Sequence, residues 1–87
     1  MFTVYILRST KDGSLYVGYT TDLAQRVQTH NKGSVQSTKS KRPWKCFFAE
    51  SYIAQEDALR REKYFKTTQG KNAVKHMLRE TLKLSYS

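Results

Sequence analysis

Phe2-Thr3-Val4-Tyr5-Ile6-Leu7-Arg8, then Lys11-Asp12-Gly13, then Leu15-Tyr16-Val17-Gly18-Tyr19-Thr20 open a chain of 87 residues. The first and third stretches concentrate the β-branched and aromatic residues that suit a pleated, half-buried surface, and the middle one carries turn residues. They predict a β-hairpin with strands over 2–8 and 15–20. Asp22 and Gln25 then stand at capping-box spacing, Leu23, Ala24 and Val27 form a helical stripe, and Gly33 is a natural stop. A helix over 22–31 is expected.

Residues 32–42 are polar, basic and without period, which reads as a mobile loop. Pro43 is tolerated at the start of a third strand over 44–53, which would join the hairpin. Spacing turns helical over 54–66, with Ala54, Ala58, Leu59 and Phe65 on one side and Glu56 and Asp57 in the first turn, where the helix dipole favours acids. Gly70 is expected to break this pattern before a last helix marked by Val74, Met77, Leu78 and Leu82. The order β-β-α-β-α-α describes an α+β fold, a three-stranded, mainly antiparallel sheet flanked by helices. The length leaves room for one compact domain over 1–87.

Sixteen lysines and arginines against seven acids give a formal charge of +9. A surplus of that size suits a polyanionic partner, nucleic acid foremost, although a basic surface that serves solubility would look the same in composition. Apolar runs fall well short of the ~20 residues that span a bilayer, and the N-terminus reads directly into a strand, so neither a membrane partner nor a targeting segment is expected. The lone Cys46 can form neither an internal disulfide nor a cysteine-based zinc site; it fits a reducing, cytoplasmic setting and is expected to fill core.

Of the seven acids, Asp12 suits the turn, Asp22 the cap, and Glu56 and Asp57 a helix start. Glu62 is the anomaly. It follows Ala58 by four and precedes Phe65 by three, which sets a carboxylate on or beside the apolar stripe. Such a group is either paired with Arg60, Arg61, Lys63 or Lys66, or a hard oxygen ligand for Mg²⁺ or a similar ion. Arg26 and His30 share a helix face, as an exposed basic patch or as a phosphate donor beside a proton acceptor. Tyr5 and Tyr16 could be packing residues, but Gly18 weakens its strand and would leave space beside Tyr16.

Val4-Tyr5, Tyr16-Val17-Gly18, Arg26 eight residues after that glycine, His30-Asn31 and Leu59-Arg60-Arg61-Glu62 together resemble the GIY-YIG nuclease family. The resemblance runs from Thr3 to about Lys71 and is nearest to the small stand-alone members. It extends to the nuclease domains of bacterial excision-repair endonucleases and of eukaryotic structure-selective ones. It implies a metal-dependent endonuclease in a repair setting; with no attached targeting domain expected, sequence specificity should be poor and structure should matter more, and DNA is the first expectation while branched DNA, single strands and RNA all stay open as substrates. In that family's terms Tyr5 and Tyr16 are active-site phenols, Gly18 keeps the site open, Arg26 contacts phosphate and Glu62 holds Mg²⁺ or Mn²⁺. His30 stands where relatives have histidine or tyrosine, Thr3 departs from a common glycine, and Asn72 is the match for a late asparagine on the substrate side.

A two-metal site needs several clustered carboxylates, so one divalent ion is expected here. Either Tyr16 or His30 would take the proton of the attacking water, while Tyr5 orients water or phosphate. Lys39, Lys41 and Arg42 in the loop, with Lys71, Lys75 and Arg79, would touch phosphates without reading bases. The rival readings are a catalytically silent nucleic-acid-binding module and an adaptor of a larger repair complex, in which a protein partner supplies specificity.

Overall fold

A computed structural model of the chain describes residues 1–84; the last three positions of the expected domain lie outside the described residues. Strands β1 (Phe2–Ser9) and β2 (Leu15–Thr20) form the antiparallel hairpin, with Tyr5 opposite Gly18 and Leu7 opposite Tyr16. The Ser9 hydroxyl accepts from the Lys11 and Asp12 amides, the Asp12 carboxylate accepts from Ser14 N at 2.9 Å, and Gly13 takes a φ of 79° that side chains rarely adopt. Strand β3 (Trp44–Tyr52) pairs antiparallel with the other edge of β1, so the sheet order is β2-β1-β3 and β1 is central.

Being central, β1 is covered on both faces, which accounts for its unbroken apolar run. Val4 and Ile6 face Ala58, Phe65 and Val74 from helices α2 (Gln55–Phe65) and α3 (Thr68–Met77). Tyr5 and Leu7 point the other way, against Trp44, with Leu23 and Val27 of helix α1 (Leu23–Asn31) packed on them. A register shift opposite Ile6 and Leu7 leaves Phe47 unpaired, and both Phe47 and Phe48 then pack on the Val4 side while Cys46 lines the Tyr5 side. Each large side chain buried this way contributes roughly 1.5–3 kcal/mol.

The expected order of elements holds, with differences that have identifiable causes. Asp22 caps α1 through Gln25 N at 3.2 Å, and Gly33 at φ 81° follows its end. The basic loop is pinned rather than loose: Trp44 Nε1 donates to Thr38 O at 2.9 Å, Ser9 Oγ to Lys41 O at 2.6 Å, and a 3₁₀ turn spans Lys39–Lys41. These bonds come from side chains distant in sequence, which periodicity does not register.

On α2 the buried stripe is Ala58 and Phe65, while Leu59 is 42% exposed and Ala54 lies exposed at the N-cap position. Arg61 fills the place expected of an apolar neighbour. Its guanidinium lies 4.3 Å from the Phe65 ring centre, and its Nε donates to Glu50 Oε1 at 2.6 Å, where the Tyr52 hydroxyl also donates.

Gly70 does not break the helical stretch. The break falls at Thr67, whose hydroxyl caps α3 by accepting from Gly70 N at 3.0 Å, and Gly70 is buried in the first turn beside the Tyr64 carbonyl. The last helix is divided at Leu78 into α3 and a short α4 (Arg79–Leu82), and Arg8 Nη1 donates to the Leu82 and Leu84 carbonyls. No helix among the described residues is long and apolar enough to cross a membrane.

A β-carbon on Gly70 would overlap the Tyr64 carbonyl, which belongs to the backbone and cannot swing away. Gly70→Ala is therefore expected to destabilise the fold by about 1–3 kcal/mol, read as a lower urea midpoint with an unchanged slope. Wild-type stability in that variant would mean the α2–α3 corner opens without penalty.

Candidate active site

Tyr5 comes from the central strand, yet its phenol reaches over β2 because its register partner is glycine. A β-carbon at Gly18 would land on Tyr5 Cζ and its hydroxyl oxygen, so the space expected beside Tyr16 is filled by the Tyr5 ring. The Tyr5 oxygen ends 2.8 Å from His30 Nε2, and His30 Nδ1 lies 2.8 Å from the Thr38 hydroxyl. Tyr5 is 1% exposed, and His30 and Thr38 are fully buried. His30 is thus no part of an exposed basic face; it turns inward between the sheet and the pinned loop.

Tyr16 completes the ring cluster, with its centroid 5.0 Å from that of His30 and 6.4 Å from that of Tyr5. Unlike Tyr5 it remains partly exposed. Arg26, one turn before His30, donates from Nε to the Tyr5 oxygen at 3.4 Å. The bond to Tyr5, with the nearby phenols, holds the guanidinium above its ordinary pKa despite partial burial. Burial pushes the Tyr5 phenol up against the lowering effect of Arg26, and burial followed by the Arg26 charge pushes His30 below its usual value. A fixed cation, a neutral imidazole and two phenols of unequal exposure therefore share one site.

Glu62 approaches from α2. Its charge is felt at Tyr5, where it favours the neutral phenol, and its side chain is 21% exposed. Oε2 pairs with Lys66 Nζ at 3.0 Å, so of the cations near it in sequence the partner is the one a turn later, while Oε1 takes no hydrogen bond or ion pair among the described residues. Among the described residues no three of His, Cys, Asp and Glu come together as a ready-made metal cage. One held carboxylate with an open oxygen fits a hard ion such as Mg²⁺ or Mn²⁺ that keeps most of its water and shares substrate oxygens.

The remaining expected contacts fall further out. Lys39 and Arg42, with Lys11 and Asn31, line an open cleft of about 670 Å³ between the hairpin turn and the loop. Lys41 turns away from it, bonded to the Ser14 hydroxyl at 3.1 Å and paired with Asp12 at 3.7 Å. Asn72 is exposed on α3, and no hydrogen bond among the described residues joins it to the cluster. Two residues act in ways to which the sequence assigns no role. Asn31 clamps Trp44 by donating to its carbonyl at 3.0 Å and accepting from its amide at 2.7 Å, and Thr38 meets His30; an asparagine at a helix end hints at the first, and nothing in an aperiodic loop points to the second.

Residues 1–76 match the family model of the GIY-YIG catalytic domain. A UPF0213 protein of Bacillus licheniformis is 38% identical over 74 residues, covering 84% of this chain and 75% of the relative. The UPF0213 protein YazA of Bacillus subtilis is 49% identical over 57 residues, covering 64% of this chain and 58% of the relative. Among solved structures, the solution NMR structure of a UPF0213 protein from Bacillus halodurans superimposes with a TM-score of 0.55 at 32% identity, over the whole of both chains. With the paired phenols, the arginine and the glutamate placed as described, this chain belongs to the GIY-YIG nuclease-domain family.

Proposed function

We propose that the protein is a phosphodiester hydrolase that cleaves nucleic acid, DNA in the first instance, choosing its site by structure rather than sequence. The observation that carries this reading is the convergence of Tyr5, Tyr16, Arg26 and His30 in one cluster within the electrostatic reach of Glu62. A site that must bind a phosphate, activate water and offset growing charge needs this mixture, whereas a purely binding surface needs only the cations.

Arg26 binds the non-bridging phosphate oxygens and stabilises the charge that grows on them as water attacks in line. Tyr16, the more exposed phenol, faces the water; it gives up its own hydroxyl proton to solvent, the Arg26 cation beside it offsets the oxyanion so formed, and that oxygen then takes up the proton of the attacking water. His30 is too enclosed to meet water itself, because its Nε2 is taken by Tyr5. Glu62 would hold a divalent cation through its open carboxylate oxygen, and that ion would supply Lewis-acid polarisation of the phosphate and offset charge on the leaving oxygen. The cleft lined by Lys11, Lys39 and Arg42 carries the flanking backbone, and a protein partner adds any specificity that these contacts lack.

Labelled single-stranded, duplex, flapped and branched DNA and matched RNA, incubated with Mg²⁺ or Mn²⁺ and then with chelator, test the reading directly. Cleavage that needs the ion is expected, with Glu62→Gln lowering turnover on the order of 10²–10³-fold in a folded protein. Binding without cleavage would leave a silent module, and a Glu62→Gln protein that unfolds would make Glu62 a structural pair. Arg26→Lys keeps the charge but loses the planar fork, so turnover is expected to fall at least about tenfold more than affinity does. Equal small losses would reduce Arg26 to surface electrostatics.

The cleft makes its own prediction. Lys11→Ala and Lys39→Ala should each weaken DNA binding on every sequence and lower the salt slope by about one, whereas Lys41→Ala, already paired with Asp12, should do less. Fluorescence anisotropy across a salt series checks this, and a larger loss at Lys41 than at Lys39 would place the DNA path elsewhere.

A further inference from the structure

The buried relay behind Tyr5 has one self-consistent direction. The Val35 carbonyl can only accept, and it lies 3.4 Å from the Thr38 hydroxyl; at the other end Arg26 Nε can only donate, and it lies 3.4 Å from the Tyr5 oxygen. With the Thr38 hydrogen directed to Val35, Thr38 Oγ1 accepts from His30 Nδ1–H, and a neutral imidazole then offers a bare Nε2 to the Tyr5 hydroxyl. Reversing the chain would give Tyr5 two donors, His30 and Arg26, and leave its own hydrogen with no acceptor in reach among the described residues. That is costly for a phenol that is 1% exposed.

We propose that Thr38 is a positioning residue that holds His30 as the Nδ1–H tautomer, so that His30 draws the Tyr5 hydrogen inward and leaves the Tyr5 oxygen lone pairs to accept from Arg26 and from the attacking water. The functional half of this statement rests on the nuclease reading; the tautomer does not. Thr38 reaches its place because the Trp44 indole donates to its carbonyl, itself held by the Asn31 clamp, so the loop delivers one hydroxyl to one ring nitrogen. Without it, Nδ1–H would be buried and unpaired, and the proton would move to Nε2 and push the Tyr5 hydrogen toward the substrate.

Two-bond ¹H–¹⁵N spectra read the tautomer directly, and the chain has only two histidines, so His76→Gln assigns His30. In that background we expect protonated Nδ1 and bare Nε2, a switch to Nε2–H in Thr38→Val, and retention of Nδ1–H in Thr38→Ser. Alongside, kcat should fall about 10–100-fold in Thr38→Val with KM little changed, and recover in Thr38→Ser, as for other outer partners of a working histidine. An Nε2–H imidazole before any change at Thr38, or a Thr38→Val protein that keeps Nδ1–H, overturns the assignment. Should Thr38→Val fail to fold, the tautomers of the parent and of Thr38→Ser still decide it. Nδ1–H in a protein that cleaves none of the substrates would support the Thr38 assignment and overturn the nuclease reading instead.

Discussion

The 2.8 Å hydrogen bond between the Tyr5 phenol and His30 joins the central strand to the helix after the hairpin, in a region closed to solvent. Two polar groups buried there need partners on every side, since an unmatched one costs about 1–3 kcal/mol. That requirement recruits Arg26 on the outer side and Thr38 on the inner, and no described buried side-chain atom is left unpaired. Order in the loop and geometry in the site are consequently one problem, solved by the same set of bonds. The indole of Trp44 shows the coupling, packing against Leu7 and Tyr5 with its ring while its N–H holds the loop.

Strand β1 separates a purely apolar core layer from the layer that holds the candidate site. Its alternating side chains send Val4 and Ile6 into the compact layer under α2 and α3, and Tyr5 and Leu7 into the layer under α1 where the polar cluster sits. Gly18 lets the phenol lie across β2 within the second layer, where it still feels a carboxylate carried by a helix of the first. The site stands where the two layers meet along β2.

Much of this was legible in the sequence because it depends on local chemistry. The hairpin followed from β-branched and aromatic runs around Lys11-Asp12-Gly13, and α1 from the Asp22 cap. Glu62 stood out because a carboxylate so near Ala58 and Phe65 conflicts with a simple amphipathic helix, and the structure does turn it partly inward. What sequence did not reveal depends on contacts distant along the chain. Gly70 reads as a breaker until Tyr64 is seen against it, Gly18 as an empty space until Tyr5 is seen across it, and His30 as a surface residue until Thr38 closes over it. Leu59 was assigned to the buried side because its type outweighed its phase; it lies one residue, about 100°, off the Ala58–Phe65 line.

Arg61 and Glu62 are adjacent, and their difference in direction bears on how the domain could be altered. Stacked on Phe65 and gripped by Glu50, Arg61 acts as a key that fixes how far α2 is rolled about its own axis. The heading of the next residue is inherited from that fixed roll and not from whatever Glu62 itself binds. A replacement at 62 would thus keep pointing where the glutamate points, which makes the position a socket whose contents can be exchanged while its orientation is set by the adjoining face of the helix, about 100° away.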